Sequence, residues 1–361
     1  MDIKYMRRAV ELAKKGEGFT NPNPLVGAVI VKDGVIIGEG YHERYGGLHA
    51  ERNAIKNATE DTTGADMYVT LEPCSHFGKQ PPCIHAVKDA GIKNVYIGSN
   101  DPNPLVSGKG IEYLRNNGIN VQTDILQDEC DALNEIFFHY ITTKTPYIIM
   151  KMAMSIDGKT ASYTGDSKWI SNEKSRLNAH FTRKRVAAIM AGINTVLSDD
   201  PMLNCRCPEP SNPIRVICDS NLRIPLDCNI MRTTCEIPTI IATVSNNSEK
   251  IGQIENMGAE VVITSGKRVN LEELMVELGR RGIDSVLVEG GAELNFSLLK
   301  TGLVNKLQVY IAPKIIGGSC AKSAVGGKGV SLVRDSFIFD NPYITRFDDD
   351  ILIEYNAKKE R

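Results

Sequence analysis

The sequence His49-Ala50-Glu51, followed by Pro73-Cys74 and then Cys83, constrains this chain more than any other feature. One imidazole, two thiols and one carboxylate stand at the spacing of a zinc deaminase site. A catalytic zinc takes three protein ligands and leaves its fourth position to water, lowering the pKa of that water toward ~7. His49, Cys74 and Cys83 are the expected ligands, and Glu51, two residues beyond His49 on a helix that opens there, is the expected proton carrier. A lone His or Cys is as a rule a packed core residue, and a structural zinc normally takes four ligands. Only His76 and His85 stand near enough in sequence to supply a fourth. The usual two residues between the cysteines are replaced by eight, Ser75 to Pro82.

At 361 residues the chain has room for two domains, each with its own core. Lys and Arg number 42 against 44 Asp and Glu, so no basic footprint for nucleic acid is present. The amphipathic start, Met1 to Lys15, lacks the apolar stretch of a signal peptide. No apolar run approaches the ~18 residues of a membrane span. Nine cysteines without export signals point to thiols and metal rather than to a disulfide framework, and the expected location is the cytoplasm. The expected partners are small molecules, with neither nucleic acid nor membrane, and the expected assembly is a homo-oligomer.

Strands are expected at Ala28 to Val31 and Val35 to Glu39, as a hairpin turning at Asp33-Gly34, then at Asp66 to Thr70 and Asn94 to Gly98. Pro73 suits an early helix position, which would set Cys74 near a helix N-terminus. Further helices are expected over Cys83 to Ala90, Ile111 to Asn117 and Cys130 to Thr143. The break Lys144-Thr145-Pro146 divides the chain into domains 1–145 and 146–361. Beyond it, β-type runs at 147–153, 187–191, 214–218, 240–243, 260–264, 286–289 and 306–311 alternate with helical segments such as 271–279. That alternation predicts an α/β sheet covered on both faces. No Gly-x-Gly-x-x-Gly follows a strand, so a standard Rossmann site is not indicated. Val288-Glu289-Gly290-Gly291 offers instead a strand end opening into a helix, where backbone N–H groups can face a phosphate, although Gly-Gly there is mostly a turn.

The run Thr70 to Cys83, with its long loop between cysteines, resembles the deaminase half of the bifunctional riboflavin-biosynthesis deaminase/reductases. Asn21 to Gly27 and Asp101-Pro102-Asn103-Pro104 fit the same family. Met154 to Lys159, Gly165 to Ile170, Gly192 to Val196, Asp199-Asp200-Pro201 and Val288 to Gly291 resemble its reductase half, so the likeness spans nearly the whole chain. The resemblance implies a cytidine-deaminase-like domain followed by a dihydrofolate-reductase-like domain using NADPH. It implies hydrolysis of the 2-amino group of a diamino-ribosylamino-pyrimidinone 5′-phosphate, then reduction of the ribosyl group of the resulting aminouracil phosphate to ribityl.

By motif match the resemblance assigns Asn23, His42 and Lys79 to the pyrimidine substrate, and Ala153, Trp169, Thr195, Asp199, Ser220 and Gly291 to NADPH. Ser167, Arg183, Leu203, Arg206 and Glu289 fall to the phosphoribosyl substrate of the reductase, the two arginines suiting its phosphate. Lys151 and Asp199 are expected polar participants in reduction. Against these stand plainer readings: Arg183 as part of a solvated helix face, Trp169 as ordinary core, and Lys151 as a charge at a strand edge. Cys205 and Cys207 form a Cys-x-Cys pair with no neighbouring His or Cys pair to complete a metal site. Two other functions bear weighing: a nucleoside or tRNA deaminase fused to an unrelated reductase, and a zinc-stabilised nucleotide-binding protein without catalysis. The balanced charge and the long inter-cysteine loop oppose the first, and an intact Glu51 opposes the second.

Overall fold

The computed structural model describes residues 2–77, 80–103 and 107–358. Its trace separates into two compact units, Met1–Lys144 and Thr145–Arg361.

In the first unit, α1 (Ile3–Lys14) precedes the hairpin of β1 (Gly27–Lys32) and β2 (Val35–Tyr41). Asp33 and Gly34 both take positive φ, 49° and 80°, as a tight hairpin turn requires. Then come α2 (Ala50–Lys56), β3 (Asp66–Leu71), α3 (Cys83–Asp89), β4 (Asn94–Ser99), α4 (Lys109–Asn116), β5 (Asn120–Gln122), α5 (Gln127–Leu133) and α6 (Glu135–Thr143). The sheet runs β2-β1-β3-β4-β5, with β1 antiparallel to both neighbours and the rest parallel.

Alternation along β1 sends Ala28 and Ile30 into a core with Ala50 and Ala54 of α2, and Val29 and Val31 into a second core with Met6, Ala9 and Ala13 of α1. Gly40 sets how closely α2 lies on the hairpin, since a Cβ there would collide with the Ala50 O and Ala54 N. That contact fixes the start of α2, and with it His49.

Two local expectations are corrected. Cys74 does not open a helix: it lies in irregular chain after β3, and the helix waits for Pro82 as N-cap and Cys83 as first residue. The long loop ending in Pro81-Pro82 postpones helix initiation, because a residue before proline is held out of the α region. The helical stretch expected over Cys130 to Thr143 is broken at Asn134. Its buried side chain accepts from the Leu25 N–H at 2.8 Å and donates to the Leu25 carbonyl at 2.9 Å.

The second unit contains β6 (Tyr147–Ser155), α7 (Glu173–Arg185), β7 (Ala188–Gly192), α8 (Ile193–Asp199), β8 (Ile214–Cys218), α9 (Asn229–Arg232) and β9 (Thr239–Thr243). It continues with α10 (Ser248–Asn256), β10 (Glu260–Ile263), α11 (Leu271–Arg280), β11 (Ser285–Val288), α12 (Ala292–Thr301), β12 (Val304–Ala312), β13 (Phe339–Phe347) and β14 (Asp350–Ala357). The sheet order is β10-β9-β8-β7-β11-β6-β12-β14-β13, parallel except for the last two pairings.

Along β7, Ala188 and Met190 join one core with α11 while Ile189 and Ala191 join another with α10, so this part of the sheet is covered on both faces as expected. The β13–β14 pair has no counterpart among the expected strands. β13 is an edge strand with Pro342 in it and mostly exposed or half-buried residues, so no clean alternation marks it. The chain leaves β7 toward β8 on one side, while β6 and β11 lie on the other; the carboxyl ends of these strands border a topological switch point, where open α/β sheets place ligands.

Candidate active sites

His49 is the N-cap residue of α2, and its imidazole makes no capping bond. Its Nδ1 lies 3.5 Å from the Cys74 Sγ and 3.4 Å from the Cys83 Sγ. One ligating atom from each of the three lies within 4.8 Å of the others, and among the described residues they form the sole such group of His, Cys, Asp and Glu. The Cys83 N–H at the start of α3 donates to the Cys74 sulfur at 3.3 Å. Hydrogen bonding with Cys83, aided by the His49 imidazole, pulls the Cys74 thiol down to about 4. Cys83, facing Cys74 and buried, is pushed up. Two adjacent thiols resist ionising together unless a cation neutralises them, which is the chemistry of a zinc site. The donor set and its spread therefore fit zinc, with one coordination position left to substrate chemistry.

The Glu51 carboxyl sits in the first turn of α2, 3% exposed, and burial raises its pKa. A buried carboxyl titrating above its ordinary range is suited to give and take a proton near neutral pH. The His42 ring meets that of His49 edge to face, with centroids 5.3 Å apart. Its Nδ1 lies 3.0 Å from the Leu48 carbonyl, which requires the proton on that nitrogen, so Nε2 accepts from the Asn23 amide at 3.1 Å. Burial lowers the His42 pKa and keeps it neutral in this network. Asn23 and His42 are thus brought to the zinc ligands, whereas Lys79 lies outside the described residues. The alternative fourth ligands stand apart from the cluster: His85 Nδ1 pairs with the Tyr113 hydroxyl at 2.9 Å, and His76 Nδ1 is buried without a partner.

Sequence reasoning missed Glu72. It is buried beside Pro73-Cys74, and its carboxylate accepts from the Gly108 and Gly110 N–H groups, both at 3.0 Å, with longer contacts to Asp101 N and Ile111 N. One side chain so fixes the stretch after β4 against the cysteine segment. Its place directly before Pro-Cys was the available signal.

In the second unit a cavity of about 1000 Å³ lies at the switch point. At its polar end Glu289, just past β11, receives two hydrogen bonds from Arg183, Nε to Oε1 at 2.7 Å and Nη2 to Oε2 at 2.9 Å. Lys151 Nζ stands 3.5 Å from the same carboxylate. Burial alone would raise the Glu289 pKa, but the Arg183 and Lys151 charges overcome it and hold the group well below the ordinary range. Arg206 borders this end as well, and its backbone N–H donates to His180 Nδ1 at 3.2 Å. His180, also missed from sequence, is held down to about 4 by burial and by the neighbouring arginines.

Ala153, Thr195 and Asp199 also line the cavity, with Ser167 and Trp169 from the loop before α7 and Ser220 just past β8. Gly291 is the N-cap of α12, a helix whose first amides have no capping side chain, and a Cβ on Gly290 would sit 2.6 Å from the Leu294 side chain. Such uncapped amides beside a side-chain-free backbone accommodate a phosphate-bearing cofactor.

Three plainer readings fail. Trp169 is 61% exposed rather than core, and its ring takes the Arg176 guanidinium at 4.5 Å. Arg183 is largely buried, not a solvated helix face. Lys151 lies on an inner strand between β11 and β12. Leu203 departs from expectation in the other direction: it is buried in the core beside Ile189 and Ile217 and is not part of the cavity lining, its φ of 46° turning the side chain inward.

Together these define a zinc-dependent deaminase of the cytidine-deaminase class joined to an α/β reductase. The family model for the cytidine and deoxycytidylate deaminase zinc-binding region matches residues 1–99, and that for the RibD C-terminal domain matches residues 146–341. The riboflavin biosynthesis protein RibD of Actinobacillus pleuropneumoniae is 51% identical over 356 residues, 98% of this chain and 95% of that protein. The solved deaminase/reductase of Thermotoga maritima superposes with a TM-score of 0.89 at 39% identity, covering 99% of this chain and 98% of that one. Acinetobacter baumannii RibD does so at 0.88 and 35%, covering 99% of each. The chain belongs to the RibD family, the bifunctional deaminase/reductases of riboflavin biosynthesis. It is an enzyme with two activities, and its cofactors are zinc and NADPH.

Proposed function

We propose that the two units act on successive intermediates: the first hydrolyses the 2-amino group of 2,5-diamino-6-ribosylamino-4(3H)-pyrimidinone 5′-phosphate, and the second reduces 5-amino-6-(5-phosphoribosylamino)uracil to the ribityl compound. The Thermotoga maritima relative carries both activities in its name, diaminohydroxyphosphoribosylaminopyrimidine deaminase and 5-amino-6-(5-phosphoribosylamino)uracil reductase. The observation that carries the deaminase half is the convergence of His49, Cys74 and Cys83 beside the buried Glu51.

His49, Cys74 and Cys83 hold zinc, which when bound supplies the Lewis acidity that makes water nucleophilic near neutral pH. Glu51 takes the proton from the attacking water and returns it to the departing amine. Asn23, its amide N–H held by His42 Nε2, presents its remaining polar edge to the pyrimidine.

In the second unit NADPH, when bound, would supply the hydride needed to reduce C1′ of the opened sugar. Ala153, Trp169, Thr195, Asp199, Ser220 and Gly291 seat the cofactor, with Asp199 also a polar participant beside the reacting groups. Ser167, Arg183, Arg206 and Glu289 seat the phosphoribosyl substrate. Lys151, held 3.5 Å from Glu289, is the ammonium placed to move a proton at the reacting sugar.

The domains are 1–145 and 146–361 and work as separate machines. All nine cysteines are free, which supports a reducing compartment, the cytoplasm; among the described residues no helix is long and apolar enough to cross a membrane. The assembly is a homo-oligomer: the edge strand β13 exposes Tyr343 and Ile344, and Val333 and Ile338 before it are exposed too, an apolar edge of the kind a second copy covers. The deciding assay supplies purified protein with the diaminopyrimidinone phosphate, with and without NADPH. Ammonia release in both cases and ribityl product only with NADPH is the expected result; no ammonia from zinc-loaded protein contradicts the reading.

A further inference from the structure

Cys205 and Cys207 stand on either side of Arg206, and their Sγ atoms are 3.2 Å apart. Both are buried, while Arg206 between them reaches the reductase cavity. No metal group includes them among the described residues, and no role proposed above uses them. Residues two apart keep their Cα atoms within about 7 Å, so a disulfide is within geometric reach, and the sulfurs must close by roughly 1 Å to bond.

We propose that Cys205 and Cys207 are a redox modification site, a dithiol that hydrogen peroxide converts to a disulfide and so withdraws Arg206 from the substrate. One thiolate attacks the peroxide O–O bond, releasing water and leaving a sulfenic acid. The second thiol displaces the sulfenic oxygen as a further water, and the S–S bond forms. The pair loses two electrons and two protons, the peroxide gains them, and a dithiol reductant reverses the step by exchange. Cys207 is pushed up to about 11 by burial and by Cys205, which suits it to the resolving step rather than to the first attack.

The segment cannot absorb this closure freely. The Cys205 N–H is tied to Asn212 Oδ1 at 2.9 Å, the Arg206 N–H to His180 Nδ1 at 3.2 Å, and the Asn204 carbonyl to Arg183 Nη1 at 2.8 Å. With Asn204 and Cys205 anchored, closure must draw in Cys207 and pull on the Arg206 N–H bond to His180, shifting the guanidinium that Asn204 Oδ1 otherwise steadies at 3.0 Å. The effect on catalysis rests on the proposed role of Arg206 at the substrate phosphate; formation of the disulfide does not.

The test treats full-length, zinc-loaded protein with hydrogen peroxide and follows peptide masses, NADPH binding by fluorescence, and reductase kinetics. The peptide holding Cys205 and Cys207 should lose two hydrogens, KM for the aminouracil phosphate should rise on the order of tenfold with NADPH affinity unchanged, and dithiothreitol should restore both. Cys205→Ser and Cys207→Ser should keep the basal KM and not respond to peroxide. The exposed Cys235 and Cys320 serve as internal controls for oxidant exposure. Their oxidation with the pair still reduced overturns the site. An unchanged KM with the disulfide formed overturns the switch, provided Arg206→Ala raises KM; if Arg206→Ala leaves KM unchanged, the substrate reading of Arg206 is what fails, and the switch with it.

Discussion

Arg183 and Glu289, 106 residues apart in sequence, meet in a two-pronged ion pair, Nε to Oε1 at 2.7 Å and Nη2 to Oε2 at 2.9 Å. The pair binds the C-terminal turn of α7 to the end of β11 in a largely buried setting. Both charges have left water, so the geometry offsets a desolvation cost rather than adding freely to stability.

Glu289→Gln leaves a buried guanidinium without its counter-charge. The second unit should lose roughly 3 kcal/mol of unfolding free energy, measured by urea denaturation. Replacing both partners, Arg183→Met with Glu289→Leu, should recover most of that loss but not reductase activity. Recovery of activity along with stability would mean that the pair only holds the fold.

A second expectation concerns pH. The His180 pKa is depressed from 6.5 to about 4 by burial and the charges of Arg183 and Arg206, and its Nδ1 is already an acceptor for the Arg206 N–H. The folded state therefore binds fewer protons than the unfolded state between these values. The contribution is full above pH 6.5 and is lost as pH falls toward 4, by roughly 2–4 kcal/mol in all. His180→Gln, which keeps an acceptor but cannot titrate, should flatten this part of the stability profile; an unchanged profile would place the acid sensitivity elsewhere.

Metal content separates the two thiol pairs. Cys74→Ser or Cys83→Ser should lower bound zinc from one per chain, because each removes one of three ligands. Cys205→Ser and Cys207→Ser should leave it unchanged. Metal analysis of the four purified variants decides the point, and zinc loss from a Cys205 or Cys207 variant would move the site to the second unit.

Much of this was readable from sequence because the signals are local. Asp33-Gly34 marks its own hairpin, and His49, Glu51, Cys74 and Cys83 declare the zinc chemistry by spacing. What stayed hidden depends on long-range partners. Asn134 looks like any helical residue until Leu25 is brought to it, and the helix breaks there. Glu72 stands directly before Pro-Cys and His180 carries no motif, but each matters through backbone groups far along the chain. Cys74 was expected at a helix start, but Pro81-Pro82 deferred that start to Cys83. The edge pair β13–β14 escaped because strands with one open side show little of the alternation on which such readings depend.

The two chemistries are held to be separable, and full-length Glu51→Gln tests that most directly. The substitution keeps the size of the side chain and the three zinc ligands but removes the proton carrier. With zinc content and circular dichroism unchanged, ammonia release from the diaminopyrimidinone phosphate should fall by ~10²-fold or more, while NADPH oxidation with supplied aminouracil phosphate continues at the parent rate. Near-normal ammonia release, or loss of NADPH oxidation in the folded, zinc-loaded variant, would contradict it.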